Sequence, residues 1–218
     1  MILVGIGTGG DRAVSDSVAL IQRSSNSFSA ELHDAVRIEL EQIVVTLTTE
    51  VEKRIFLVSH GSQSALLDAS INRVPYLGSA DVAALHNCYV FAHACSTGAR
   101  LGKEAAKEAF VYFGFDAPIS APPASNSICF EDILAAYRTL AAFIQHLEYR
   151  DPHSVVISVQ NFLDGIGKEL LEIEAKYDTD DGSRLDAEEM ICVRQFRADM
   201  CAWIKGIDNM LKAIGAPP

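Results

Sequence analysis

The sequence predicts an α/β fold, a mostly parallel sheet flanked by helices, with a C-terminal all-helical subdomain. Three observations carry this. Over residues 1–120, apolar runs of strand length alternate with helical stretches. Two of those runs, RIFLVSHG (Arg54–Gly61) and YVFAHACSTG (Tyr89–Gly98), are rich in β-branched and aromatic residues and end in His60-Gly61 and in Cys95. After a proline-rich stretch, residues 127–218 show helical segments only.

Taken in order, MILVGI is the first strand and Gly7–Asp11 a loop. Ala13–Ser17 allows at most a short helix, and Val18–Gln22 is the second strand candidate. From Ala30 to Lys53 the apolar residues Leu32, Val36, Leu40, Ile43, Val44, Leu47 and Val51 keep steps of three and four, which predicts a long helix capped by Ser29. Ile55–Ser59 is the third strand. Leu66-Leu67 and Pro75–Leu77 suit a small hairpin, and Ala80–Leu85 a short helix with Ser79 as its cap. Tyr89–Cys95 is the fourth strand, a helix spans about Gly98–Ala109, and Phe110–Phe115 is the fifth strand. Ala117–Asn126, with Pro118, Pro122 and Pro123, reads as a linker or surface loop. Helices near 128–149, 152–177 and 186–213 follow, broken at Asp151-Pro152 and at the acidic turn Asp178–Ser183.

Composition narrows the function classes. The chain has 218 residues, 49% of them hydrophobic, and a formal net charge of −11. An acidic surface argues against nucleic acid as a direct partner. The five cysteines are odd in number and lack framework spacing, which points to a reducing, cytoplasmic setting. No apolar run approaches the ~18 residues of a membrane span, and no membrane partner is expected.

Side by side and parallel, the third and fourth strands would bring an imidazole and a thiol to one carboxyl edge, where open α/β sheets place their sites. His60 beside Cys95 is the minimum equipment of a thiol nucleophile. A helix opening just after Cys95 would favour its thiolate. Gly61 and Gly98 would let a substrate backbone approach, and the Gly61 amide is placed to help hold an oxyanion.

With VSHG, then LLDASINRVPYLGSADVAAL, then VFAHACSTG, the chain resembles the caspase-like cysteine peptidases, nearest in feel to CHAT and bacterial caspase-like domains. The stretch LIQRSSNSFSAELHDAVRIELEQI is similar to that clan's second strand, loop and long helix. The resemblance covers residues 1–120 and implies His60 as general acid or base, Cys95 as nucleophile and Gly61 as an oxyanion-hole donor. It implies protein substrates, no cofactor, and a triggered bacterial defence or regulatory setting with an activating protein partner. Clan members that accept a basic residue at P1, the position preceding the scissile bond, carry an acidic residue two positions before the cysteine. Here that position is His93, so a basic P1 does not carry over. Arg12, His93 and Ser96 are the substrate-binding candidates, Arg12 for an acidic side chain.

Rival signals point elsewhere. Gly5, Gly7 and Gly10 fit a dinucleotide glycine pattern, although no clear helix is predicted at the third glycine and Glu31 falls at a helix start. His86, Cys88, His93 and Cys95 are close in sequence but lie along one extended strand, poor geometry for zinc. Asp178, Asp180, Asp186 and Glu189 partly follow a calcium loop, with Ser183 at the usual glycine position; a solvated acidic turn is the plainer reading. Three functions therefore stand: a cysteine endopeptidase, a catalytically silent caspase-like scaffold, and a nucleotide-binding module.

Overall fold

The computed structural model describes residues 1–6, 11–26, 29–33, 53–68, 72–178 and 184–207. Its strands are β1 (Ile2–Ile6), β2 (Ser29–His33), β3 (Lys53–Val58), β4 (His60–Gly61), β5 (Ala65–Leu67), β6 (Pro75–Gly78), β7 (Cys88–His93), β8 (Val111–Phe115) and β9 (Met200–Ile204). Its α-helices are α1 (Arg12–Ser24), α2 (Leu101–Ala105), α3 (Phe130–His146), α4 (Pro152–Tyr177) and α5 (Ala187–Asp199). Six strands form the main sheet in the order β2-β1-β3-β7-β8-β9. All its pairings are parallel except β8 with β9. The antiparallel β4-β5-β6 set is the small hairpin foreseen after His60, with one strand more.

The central strands β1, β3, β7 and β8 are buried on both faces, as strands of parallel sheets are, and successive residues alternate between two cores. Leu3, Phe56, Val58, Tyr89, Phe91, Val111 and Phe113 pack under α1, α3, α4 and α5. Val4, Ile55, Leu57, Val90, Ala92 and Tyr112 pack under the hairpin and α2. Arg54 ties the first layer down: its guanidinium donates to the Ile144 and Leu147 carbonyls at the end of α3, at 2.9 and 2.7 Å, and lies over the Tyr89 ring. A cation at a helix C-terminus is favourably placed against the dipole.

Several elements differ from expectation. Val18–Gln22 is not a strand, and the first crossover does hold a full helix. Val14, Ser17, Val18, Leu20, Ile21 and Ser24 are the buried residues of α1, and Asp11 caps it by accepting from the Val14 amide. Helical periodicity over thirteen residues outweighs the strand propensity of a short apolar run. The second strand is instead Ser29–His33, parallel to β1, where a helix start was expected; the rest of that stretch, 34–52, lies outside the described residues. The helix after Cys95 shrinks to Leu101–Ala105, because the Gly98 amide bonds to the Phe115 carbonyl at 2.9 Å and Gly102 to Thr97 at 2.8 Å. Val82–Leu85 forms a 3-10 turn preceded by Asp81, not Ser79.

The last helix ends at Asp199, and Met200–Ile204 runs as β9 along the edge of β8, so residues after 127 are not wholly helical. Phe196 is buried on α5, whereas Met200 and Trp203, expected on that helix, belong to β9. Among the described residues no helix is long and apolar enough to cross a membrane.

Candidate active site

The register of β3 and β7 decides where the two candidate residues, His60 and Cys95, emerge. Val58 pairs with His93 at the carboxyl end of the ladder, and the Ser59 amide donates to the His93 carbonyl at 3.3 Å. His60 and Cys95 each follow two residues later, so both leave the same edge side by side and line one cavity. Gly61 shows how close the two segments run. A Cβ built there would lie 2.5 Å from the Cys95 carbonyl oxygen and 2.8 Å from Thr97 Cγ2. Only glycine allows this crossing.

His60 is held from behind. Its Nε2 bonds to Asp11 Oδ2, while Asp11 Oδ1 accepts from the Val14 amide and Arg73 lies 3.8 Å from Oδ2. With Nε2–H on the carboxylate, Nδ1 is the ring nitrogen left with a lone pair to accept a proton. Cys95 is half-buried, and its thiol donates to the Ile119 carbonyl at 3.7 Å. Ile119, Ser120 and Ala121 of the proline-rich loop form one wall of the cavity, so this stretch is part of the site and not a plain linker.

Asp11, Ser17, Ile119 and Tyr137 are the residues that sequence reasoning missed. Only Asp11 had a local signal, as an N-cap residue before an amphipathic helix.

His93 lies fully buried under the cavity, with Tyr137 Oη 3.1 Å from Nδ1 and Ser17 Oγ 3.1 Å from Nε2. The Ser17 hydroxyl donates to the Ala13 carbonyl at 2.7 Å. The bonds then run one way: Tyr137 donates to Nδ1, Nε2–H donates to Ser17, and Ser17 to the helix backbone. That network fixes a neutral imidazole, and burial lowers its pKa from 6.5 to about 4. The unfolded chain therefore takes up a proton that the folded chain refuses as pH falls from about 6.5 through about 4. Stability contributed by neutral His93 is lost in that window, by about 2 kcal/mol between pH 7 and pH 5. Urea unfolding at the two pH values checks this: His93→Gln should lose less stability on acidification than the wild type.

The other candidates scatter. Arg12 is exposed on the first turn of α1 and does not line the cavity. Ser96 takes φ 57° and turns the chain away from Cys95, its amide bonding to the Ala117 carbonyl at 3.0 Å. The short α2 begins only at Leu101, so the expected helix start does not directly follow the thiol.

Asp186 and Glu189 form a capping box on α5, each accepting from the other's backbone segment, at 2.8 and 2.9 Å. Asp178 ends α4, and Asp180 lies outside the described residues. His86 turns outward to Glu108 at 3.0 Å, away from the buried Cys88. In the glycine pattern a helix does follow, and Glu31 falls in β2, against expectation. Yet the Asp11 carboxylate occupies the amino end of α1, where a dinucleotide's pyrophosphate would have to sit. Gly7 and Gly10 lie outside the described residues.

No protein-family model matches this sequence, and no curated protein matches it. Among solved structures, a secreted C11 cysteine protease from Bacteroides thetaiotaomicron, in complex with an irreversible peptide inhibitor, is similar with a TM-score of 0.54 and 11% identity, over 97% of this chain and 67% of that one. At that identity the likeness is one of fold: this chain has the helix-flanked, mostly parallel α/β fold of a caspase-like cysteine protease.

Proposed function

We propose that this chain is a cysteine endopeptidase acting through Cys95 and His60. The observation that carries the reading is the β3–β7 register, which leads an imidazole and a thiol out of one sheet edge into one cavity. In this reading His60 Nδ1 takes the thiol proton, and Cys95 Sγ bonds to the substrate carbonyl carbon. The negative charge on oxygen is met by the Gly61 amide. The carbon–nitrogen bond then breaks, with His60 returning the proton to the leaving amine and a thioester remaining on Cys95. Water, deprotonated by His60, releases the acid and restores the thiol. Asp11 positions the ring and stabilises its charged form. The resting thiol is engaged by the Ile119 carbonyl, so productive binding has to draw it toward His60. An activating partner, and a setting in bacterial defence or regulation, extend the same proposal.

Brief iodoacetamide treatment of native protein tests it. Burial pushes the thiols of Cys88 and Cys129 up to about 11 and that of Cys192 to about 12, and it raises Cys201 as well. Cys95 faces an open cavity beside His60 and should alkylate at least about tenfold faster than those four. Peptide mapping by mass spectrometry reads the rates. Labelling of Cys95 no faster than Cys192 would count against an activated nucleophile.

A further inference from the structure

Resting on the peptidase reading, we propose that the cavity beside Cys95 receives the substrate side chain preceding the scissile bond and admits only small, uncharged residues of the alanine, serine, threonine and valine class. The size limit comes from the cavity itself. Its volume is about 100 Å³, between Ala13, Val14 and Ser17 of α1, the Val58–His60 and His93–Cys95 segments, and the Ile119–Ala121 loop. A cavity of ~150 Å³ holds benzene, so this one takes about four heavy atoms beyond the backbone. A phenylalanine or lysine side chain would have to displace α1 or the loop.

The charge limit comes from the lining. Apart from the nucleophile, the titratable residues that line the cavity are His60 and His93. His60 is committed to Asp11 and to the reaction. His93 is neutral, and both its ring nitrogens are taken, by Tyr137 and Ser17. The hydroxyls of the floor are committed as well. Ser17 donates to Ala13, and Ser59 donates to the His60 carbonyl at 2.8 Å while accepting from Tyr76 at 3.1 Å. Among the described residues that line the cavity, a substrate carboxylate meets no Lys or Arg side chain, and a guanidinium or ammonium meets no carboxylate. Arg12 points its charge into solvent, and Asp11 stands behind His60 outside the lining. A charge buried without a partner is strongly disfavoured. His93 is thus a specificity-determining residue: its neutral, fully bonded ring replaces a charged pocket floor.

The test uses the native chain and peptidyl acyloxymethyl ketones that differ only in the residue next to the reactive group. The set carries alanine, threonine, valine, leucine, phenylalanine, lysine, arginine, aspartate or glutamate there. Intact mass gives the rate of Cys95 modification, with Cys95→Ala as the blank. Alanine, threonine and valine ketones should react at least about 100-fold faster than the four charged ones and about tenfold faster than phenylalanine. A fastest reaction with a charged residue overturns the proposal while leaving the peptidase reading in place. Phenylalanine reacting as fast as alanine overturns the size limit. Failure of every ketone to modify Cys95, with iodoacetamide labelling it no faster than the other cysteines, overturns both readings together.

Discussion

On the proposed peptidase reading, Cys95→Ala should abolish peptide cleavage, with kcat/KM falling by roughly 10³-fold or more, and His60→Ala should do the same. The double substitution should be no worse than either single one if, as proposed, the two side chains act as one unit in forming the thioester. Neither change should unfold the protein. Cys95 is half-buried and loses one sulfur into an open cavity, and His60 leaves a solvent-accessible edge. Cleavage rates paired with thermal unfolding curves check this. Cleavage that survives Cys95→Ala removes it as the nucleophile and overturns the Cys95–His60 reading.

Gly61→Ala combines a loss of activity with a loss of stability. The added methyl group would sit 2.5 Å from the Cys95 carbonyl oxygen and 3.0 Å from the Ala94 Cβ. Backbone cannot swing aside as a flexible side chain does, so β4 and the turn at Cys95 must separate. Overpacking of this kind costs about 1–3 kcal/mol, and a displacement of ~1 Å between reacting groups costs about 10²-fold in rate. Both effects should appear together, in a urea denaturation midpoint and in kcat. An unchanged kcat would show that the His60–Cys95 spacing tolerates adjustment. Gly78, where the nearest atoms to a built Cβ are 3.6 Å away, is the control: Gly78→Ala should leave activity near wild type.

The strands that lead to His60 and Cys95 were legible because each is a single apolar run with its chemistry at the end, and the hairpin because Leu66-Leu67 and Pro75–Leu77 flank a turn. What failed was arbitration between short helices and short strands. Val18–Gln22 has the composition of a strand, and only its place within a thirteen-residue amphipathic pattern makes it helix. Met200–Ile204 reads as a continuation of α5, and only the open edge of β8 turns it into a strand. These outcomes rest on tertiary partners that no local window contains. The same holds for the site. His60 and Cys95 announce themselves by motif, whereas Ser17 and Tyr137 reach His93 from 76 and 44 residues away, and nothing in their own neighbourhoods marks them.

The closing strand β9 has a consequence for how the molecule comes into being. Its Trp203 indole donates to the Gly98 carbonyl at 2.6 Å, three residues past Cys95, and its backbone covers the whole length of β8. Translation delivers the thiol and the imidazole long before it delivers this strand. A nascent chain that stops short of residue 200 carries both reactive groups but leaves the turn after the thiol without its indole and an aromatic sheet edge bare. Such a fragment is prone to pair with other chains through that edge. Once residues 200–204 are in place, one late-arriving strand pairs along β8 and braces the turn after Cys95 at the same moment, so the geometry of the candidate site would emerge only once synthesis has run past it.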